Sequence, residues 1–255
     1  MNPAAPRGVL ITGATGAIGS ALADQYAAPG QTLILFGRDQ QRLEQLADHC
    51  RSRGARVVSV SVDLRECRLL MDRLREVCAA ERPELVIANA GVSSTADCNG
   101  ETWEAIEQVV QVNLLATMAT VQAVLPYMRQ QGRGQIALVS SLAAWYGLPV
   151  TPSYSACKAA IKNYAEALQG SLAGQGIRVS LILPGFVESA MSRSVPGSKP
   201  FLMTADRAAK IIKHGLDRGR RRISFPFPLT FGCWLLAVLP PALSGWLVRR
   251  FGYHA

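Results

Sequence analysis

The sequence predicts an α/β domain built on a doubly wound parallel sheet with helices on both faces. Short runs of β-branched residues and leucine recur along the chain, longer stretches with helical spacing separate them, and the runs are almost uniformly apolar. Strands buried on both faces have this composition, and parallel neighbours need a crossover helix between them. A chain of 255 residues with 49% apolar side chains can bury the core of one such domain.

The predicted elements alternate along most of the chain. Strands are expected at residues 9–11, 32–36, 57–62, 85–88, 136–140, 179–183 and 223–225. A first helix follows the first strand directly, and further helical patterns cover residues 40–53, 65–80, 102–131, 154–173 and 204–218. We find no repeat and no linker before residue 193. We therefore assign residues 1–225 to a single domain and residues 226–255 to an apolar C-terminal helical extension.

The net charge of +9 arises entirely near the end of the chain. Residues 1–192 carry 16 basic and 16 acidic side chains, whereas residues 193–255 carry 11 basic ones and only Asp206 and Asp217. A nucleic-acid binder more often places its basic residues along a reading helix or among aromatics, so no nucleic-acid partner is expected.

The spacing of the cysteines and histidines argues against metal-binding and disulfide-rich proteins. The six cysteines form no C-x-x-C pair and the three histidines stand apart, so neither a metal site nor a disulfide framework is expected. Residues 1–7 contain no apolar run with a cleavage site, which favours a cytoplasmic location.

A glycine-rich turn follows the first strand and opens the first helix, in the sequence Thr12-Gly13-Ala14-Thr15-Gly16-Ala17-Ile18-Gly19. Glycines there allow a tight turn and let backbone N–H groups approach a pyrophosphate, which the helix N-terminus also favours. The context predicts a Rossmann-type dinucleotide site that includes Gly13, Thr15, Gly16, Ala17, Ile18 and Gly19.

The end of the second strand bears on the choice of cofactor. Gly37 offers no carboxylate for a ribose 2′-hydroxyl, and Arg38 can pair with a 2′-phosphate, so NADP(H) is preferred and NAD(H) is the alternative. In a second interpretation, Arg38 is solvated and Asp39 caps the next helix. Asp63 and Leu64 end the third strand where adenine would lie, although a strand-end Asp is commonly a turn residue.

Three side chains predict acid–base chemistry. Ser141 follows the fifth strand, and Tyr154 and Lys158 are four residues apart on one predicted helix, so they share a face. A phenol with an ordinary pKa of about 10 is a poor acid–base catalyst at neutral pH, and a nearby ammonium favours its ionised form.

The order and spacing of these motifs resemble the short-chain dehydrogenase/reductase family of the single-domain type, over roughly residues 7–225. The resemblance also includes Asn89-Ala90-Gly91, Asn113 in the long helix, and Pro184-Gly185 followed by Val187, Ser189 and Met191. It implies an NAD(P)-dependent enzyme that interconverts a carbonyl and a hydroxyl by hydride transfer, assembled as a homodimer or homotetramer.

The resemblance also implies a role for each site residue. Tyr154 would be the acid or base, Lys158 would lower its pKa and hold the nicotinamide ribose, Ser141 would bind the substrate oxygen, and Asn113 would hold a water linking Lys158 to solvent. Alternatively, Asn113 is a buried helix residue bonded to backbone and Ser141 a turn residue. Tyr154 and Lys158 would also contact the cofactor. The other residues that would line the cofactor site are Asn89, Ala90, Gly91, Pro184, Gly185 and Val187.

The expected substrate walls are nearly uncharged and comprise Ala143, Trp145, Tyr146, Pro149, Phe186 and Met191. An apolar or lipid-like carbonyl or alcohol fits such walls. Three alternatives stay open. Trp145 and Tyr146 could pack against the protein or a second subunit, the substrate could be a soluble or carrier-bound acyl compound, and the chain could be a catalytically idle dinucleotide sensor or scaffold at a membrane.

The extension contains 23 uncharged residues, 226–248, between Arg220-Arg221-Arg222 and Arg249-Arg250. Its length permits a membrane span, but Pro240-Pro241 divides it into segments of about ten residues, each about 15 Å long as helix. Trp234, Trp246, Phe231 and Tyr253 suit a lipid headgroup boundary, and the arginines suit anionic lipid. We favour peripheral attachment to a membrane surface over a lid or dimer arm, and over a span.

Overall fold

The computed structural model describes residues 6–96 and 100–250, so Cys98, Tyr253 and His254 lie outside the described residues. Seven parallel strands form one sheet in the order β3-β2-β1-β4-β5-β6-β7. The strands are β1 (Gly8–Thr12), β2 (Thr32–Gly37), β3 (Arg56–Ser61), β4 (Leu85–Ala88), β5 (Gly134–Val139), β6 (Ile177–Pro184) and β7 (Arg222–Phe225). The strand order reverses between β1 and β4, which places a ligand crevice at the carboxyl ends of these strands.

Helices cover both faces of the sheet. They are α1 (Ala17–Tyr26), α2 (Gln40–Ser52), α3 (Cys67–Glu81), α4 (Trp103–Val109), α5 (Ala116–Gln131), α6 (Pro152–Ser171), α7 (Ala190–Ser194), α8 (Ala205–Asp217), α9 (Phe227–Val238) and α10 (Pro241–Arg250). Consecutive strand residues pack into two separate cores, with Leu10 and Ile34 in one and Ile11 and Leu35 in the other. This explains why the strands are uniformly apolar, and the predicted doubly wound fold is confirmed.

The long predicted helix at residues 102–131 is not regular. A π-helical turn, Val110–Leu115, joins α4 to α5 and contains Asn113. The helical run Trp103–Gln131 is the one among the described residues that is long and apolar enough to cross a membrane. Its most apolar window is 56% buried inside the protein, as in the core helix of a globular domain.

The C-terminal region forms two short helices after β7, separated at Leu239 and Pro240. The hydroxyl of Ser244 on α10 donates to the carbonyl of Leu236 near the end of α9 over 2.8 Å, which holds the two helices together. The predicted division at the proline pair is therefore correct.

The basic segment 220–222 leads into the short strand β7. Arg222 begins this strand in register with Leu181 of β6, which is itself in register with Leu138 near the carboxyl end of β5. Arg222 is also paired with Glu166 over 2.7 Å.

Candidate active site

A cleft of about 1210 Å³ runs along the carboxyl ends of the strands, from the glycine turn to α9 and α10. All of the predicted cofactor residues line it except Gly19, which lies beneath the turn. Three of the four predicted catalytic residues, Ser141, Tyr154 and Lys158, line it as well, whereas Asn113 lies behind the wall. The fold thus brings together residues that are far apart in the sequence.

The glycine turn leaves no room for side chains at two positions. Gly13 has a φ of +65°, and a Cβ there would lie 2.7 Å from the Cα of Ala90. A Cβ on Gly19 would collide with the carbonyl oxygen of Gly13. Gly16 caps α1 without a side-chain hydrogen bond, so no cap side chain claims the first N–H groups of this helix. The turn fits a pyrophosphate, which such N–H groups bind.

Asn89 fixes the turn onto the end of β4. Its Nδ2 donates to the carbonyls of Thr12 (3.2 Å) and Gly13 (3.1 Å), while its backbone N–H donates to Oγ1 of Thr12 (3.2 Å). Asn89 therefore shapes the cofactor site through the backbone. Thr12 was not among the predicted site residues.

Two arginines stand at the adenosine end of the cleft. Arg38 is exposed and lines this end, and Arg42 on α2 lines it as well and donates from Nη2 to the carbonyl of Thr15 over 3.0 Å. Sequence reasoning missed Arg42, although its place in the first turn of the helix after Arg38 was a usable signal. Asp39 caps α2 by accepting from the N–H of Arg42 over 3.0 Å, so the alternative interpretation of Asp39 is correct.

Asp63 lines the same end of the cleft but already has a partner. It accepts from the backbone N–H of Arg65 over 3.0 Å and pairs with Nη2 of Arg65 over 2.6 Å. The hydrogen bond from the Arg65 guanidinium lowers the pKa of Asp63 below its ordinary value. Asp63 is thus a turn residue that also borders the cleft.

The three cleft-lining catalytic candidates are in contact. The Ser141 hydroxyl lies close enough to Tyr154 to favour the ionised form of the phenol and so to lower its pKa. Lys158 lies one helical turn further along α6, with Nζ 5.5 Å from the centre of the Tyr154 ring. Its Nζ donates to the carbonyl of Val139 over 2.9 Å, and only 3% of the residue is exposed. The ammonium is thus held between β5 and the phenol.

Burial sets the protonation state of this group. Burial lowers the pKa of Lys158 to about 8. Burial also raises the pKa of Tyr154, and the hydrogen bond with Ser141 acts in the opposite direction. Near neutral pH the phenol therefore carries a proton that it can donate, and the neighbouring lysine is predominantly charged.

Two contacts that the sequence did not reveal hold α6 in place. Ser140 donates from Oγ to the carbonyl of Lys158 over 2.7 Å. The carboxylate of Glu101 accepts from both the N–H (2.8 Å) and the hydroxyl (2.7 Å) of Ser153, next to Tyr154. Thr151 at the N-cap makes no side-chain cap bond, so Glu101 supplies the cap instead.

Asn113 is completely buried and bonds to backbone. Its Oδ1 accepts from the N–H of Val92 (2.7 Å) and its Nδ2 donates to the carbonyl of Val92 (2.8 Å). A Cβ added to Gly91 would lie 3.3 Å from Oδ1 of Asn113 and 3.4 Å from Nζ of Lys158. The side chain therefore clamps the loop after β4 beside the lysine, as the alternative interpretation expected.

The predicted substrate walls divide into two groups. Ala143, Tyr146, Phe186 and Met191 line the large cleft. Trp145 and Pro149 were expected there too, but they line a separate cavity of about 450 Å³ against α6. The reason is local: Ser141 caps a 3₁₀ turn, Leu142–Ala144, and the chain leaves this turn with Trp145 directed away from the cleft.

Trp145 instead packs against two cations. Its ring centre lies 4.9 Å from Nζ of Lys162 and 5.3 Å from the guanidinium carbon of Arg222. Such contacts stabilise an indole in a wall of the domain. The alternative that Trp145 packs against the protein is therefore the one observed.

The rest of the apolar wall comes from the C-terminal helices, which sequence reasoning considered as a lid but did not resolve into residues. Leu229, Cys233 and Leu236 of α9 line the cleft, together with Leu247 and Val248 of α10. Burial raises the pKa of the Cys233 thiol to about 11, so this side chain is an uncharged part of the wall. Val248 packs with Val150, and Tyr146 and Leu148 pack against the same cluster, which closes this end.

Comparison with known proteins places the chain among dehydrogenases. The family model described as short chain dehydrogenase matches residues 7–199. An uncharacterized oxidoreductase of Myxococcus xanthus is 35% identical over 245 residues, covering 96% of this chain and 97% of that protein. An 11-beta-hydroxysteroid dehydrogenase 1A of Arabidopsis thaliana is 32% identical over 265 residues, covering 94% and 74%. A short-chain dehydrogenase from Sphingobium yanoikuyae in complex with NADPH superposes with a TM-score of 0.81 at 28% identity, covering 94% of each chain.

Proposed function

The chain belongs to the short-chain dehydrogenase family, whose members are nicotinamide-dinucleotide-dependent oxidoreductases, and on that premise we propose a specific reaction. The enzyme interconverts a carbonyl and a hydroxyl on a hydrophobic or lipid-like substrate, with NADP(H) as the preferred cofactor. The contact between Tyr154, Ser141 and Lys158 at the junction of the cofactor end and the apolar end of the cleft carries this proposal.

The proposed mechanism assigns a step to each of these side chains. When bound, the nicotinamide supplies a hydride in reduction or accepts one in oxidation. Ser141 and Tyr154 hold the substrate oxygen, and Tyr154 donates its hydroxyl proton to that oxygen as the carbonyl becomes an alcohol. The ammonium of Lys158 stabilises the phenolate that remains, because the two groups are close and the lysine is buried. In oxidation the same phenolate accepts the proton.

The proposed cofactor preference rests on charge at the adenosine end. Arg38 and Arg42 are both exposed there, and Gly37 provides no carboxylate that would repel a phosphate. Guanidinium groups bind phosphate oxygens with two donors, so a 2′-phosphate gains contacts that a 2′-hydroxyl does not. NAD(H) is the alternative cofactor.

The proposed substrate class rests on the walls at the other end. Tyr146, Phe186, Met191 and the inner side of α9 form an apolar wall of the cleft, and α9 contains no charged residue. The Arabidopsis relative is named for a steroid, which is an apolar substrate class.

A soluble or carrier-bound acyl compound is the second candidate for the substrate. An idle sensor or scaffold is disfavoured because it would not need the Tyr154 phenol in contact with Ser141.

We further propose that the protein is a cytoplasmic homodimer or homotetramer that attaches peripherally to a membrane through residues 226–255. Helices α9 and α10 contain 12 and 10 residues. Their lengths of about 18 and 15 Å fall short of the hydrocarbon core of about 30 Å, so peripheral attachment fits them better than a span.

Replacement of Tyr154 by Phe tests the enzymatic proposal. The phenyl ring preserves packing but has no proton to donate, so NADPH oxidation with a hydrophobic ketone should fall by at least about 100-fold. The affinity for NADPH, followed by fluorescence titration, should change little. Retained turnover in the variant would refute the assignment, and a wild-type protein that binds NADPH but reduces no carbonyl would favour the sensor.

A further inference from the structure

Helix α9 has apolar side chains on two opposite sides. Leu229, Cys233 and Leu236 recur at helical spacing and line the cleft. On the outer side, four apolar residues are exposed at the same spacing: Phe227 (79%), Phe231 (53%), Trp234 (43%) and Val238 (58%). Trp246 of α10 adds another exposed aromatic ring, at 55%. A helix with an apolar stripe needs one partner, so a helix with two stripes needs a second.

The two rims of the cleft differ in composition. At the adenosine end, the exposed cleft-lining residues are Gly16 and three charged residues, Arg38, Asp39 and Arg42. At the far end, the charged residues Glu188 and Arg193 are joined by two large apolar side chains, Phe201 and Leu235, which line the cleft while remaining 57% and 37% exposed. The first rim suits a cofactor that arrives from water, whereas the second suits a substrate that avoids it.

The charge around the apolar rim is almost entirely of one sign. Residues 186–205 and 226–250 include four basic side chains, Arg193, Lys199, Arg249 and Arg250, and a single acidic one, Glu188. Two copies of this face would repel each other, whereas an anionic lipid surface would attract it. Exposed aromatic rings with nearby arginines are also the composition of helices that lie in a lipid headgroup region.

We propose that the outer face of α9, with Trp246 and the four basic residues, docks on an anionic lipid bilayer, and that the substrate passes from the bilayer between Phe201 and Leu235 directly into the cleft. The route rests on the proposed function, because it requires an apolar substrate. The docking surface specifies the membrane attachment proposed above and does not require an apolar substrate. Helix α9 is then both the inner wall of the site and its contact with the membrane.

Vesicle co-sedimentation of the full chain tests the docking surface. Wild type should bind vesicles of phosphatidylcholine and phosphatidylglycerol and bind pure phosphatidylcholine vesicles more weakly. The double variant Phe231→Gln/Trp234→Gln keeps the inner side of α9 and should bind at least about tenfold more weakly, because two membrane-facing rings are lost. The matched control is Trp103→Gln on α4, an equally drastic change at a tryptophan that is 70% exposed, which should bind like wild type.

Two results of this measurement would overturn the docking surface. One is equal vesicle binding by wild type and the double variant. The other is the absence of vesicle binding together with a dimer, seen by sedimentation velocity, that the double variant loses. That second result would assign this face to a second copy of the chain.

Kinetics tests the entry route separately. With a long-chain ketone held in the vesicles, the double variant should lose at least about tenfold in kcat/KM, in proportion to its weaker membrane binding. With a short, water-soluble ketone, the two proteins should be equal. Equal loss on both ketones would overturn the route. Absence of turnover on any carbonyl would count against the proposed function, while the vesicle measurement would still decide the docking surface.

Discussion

Replacement of Lys158 by Met should make the folded protein more stable at neutral pH while removing activity. Lys158 is 3% exposed, and burial lowers its pKa from 10.5 to about 8. Lowering a pKa by one pH unit corresponds to about 1.4 kcal/mol, so charging this buried ammonium costs roughly 3 kcal/mol of folding free energy. Methionine has a similar length and no charge. The variant also loses the hydrogen bond to the Val139 carbonyl, which should destabilise its folded state by about 1 kcal/mol. The net result is a variant about 2 kcal/mol more stable than wild type.

The direction of the pH dependence follows from the lowered pKa. Above the unfolded pKa of 10.5 the lysine is neutral in both states, and it imposes no penalty. As the pH falls toward 8, the unfolded chain takes up a proton that the folded protein does not, so the wild type loses stability. Below about 8 the penalty is complete. The advantage of the Met variant should therefore be largest at neutral pH and shrink between pH 8 and 10.5.

Urea unfolding of both proteins across this pH range measures the difference directly. Titrating groups common to both proteins cancel when the two free energies of unfolding are subtracted. A difference that does not change with pH would refute the argument that burial of the ammonium lowers its pKa. A variant that is less stable than wild type at pH 7 would show that the Val139 contact outweighs the desolvation.

Two further substitutions test other parts of the site. Arg38→Ser should weaken NADPH binding by about tenfold or more and leave NADH binding nearly unchanged, because only NADPH has the 2′-phosphate. Fluorescence titrations measure both affinities. Equal effects on the two cofactors would contradict the proposed preference. Asn113→Ala leaves the N–H and carbonyl of Val92 without partners, at about 1–3 kcal/mol each. The urea midpoint should therefore fall markedly, and a free energy of unfolding within about 0.5 kcal/mol of wild type would contradict the clamp.

The parts of the molecule that the sequence predicts well are those encoded over short distances. Val9, Leu10 and Ile11 are all apolar because each faces one of two cores, and this pattern alone identifies a parallel strand. Tyr154 and Lys158 are brought together by one turn of a helix. The strand order and the glycine turn then place these local patterns along one edge of the sheet.

The parts that it does not predict depend on contacts between distant residues or on irregular turns. Glu101 caps the helix at Ser153 from 52 residues away, and no local pattern signals this pairing. The direction of Trp145 is set by a single 3₁₀ turn. Asn113 lies in a π-helical turn that a regular helical pattern conceals. Each of these features depends on where a side chain points, and hydrophobic periodicity is insensitive to that direction.

The positions of the basic residues in the C-terminal part show which of them can contact an anionic surface. Three of these cations have acidic partners, in the pairs Lys210–Asp206, Lys213–Asp217 and Arg222–Glu166. Arg220 and Arg221 precede β7 and are not among the residues that line the cleft. The four cations near the apolar rim would together contribute about 4 kcal/mol at an anionic surface, since each is worth about 1 kcal/mol. This is too little for firm attachment, so the exposed rings of α9 and α10 must supply the larger share, and salt should weaken membrane binding without abolishing it.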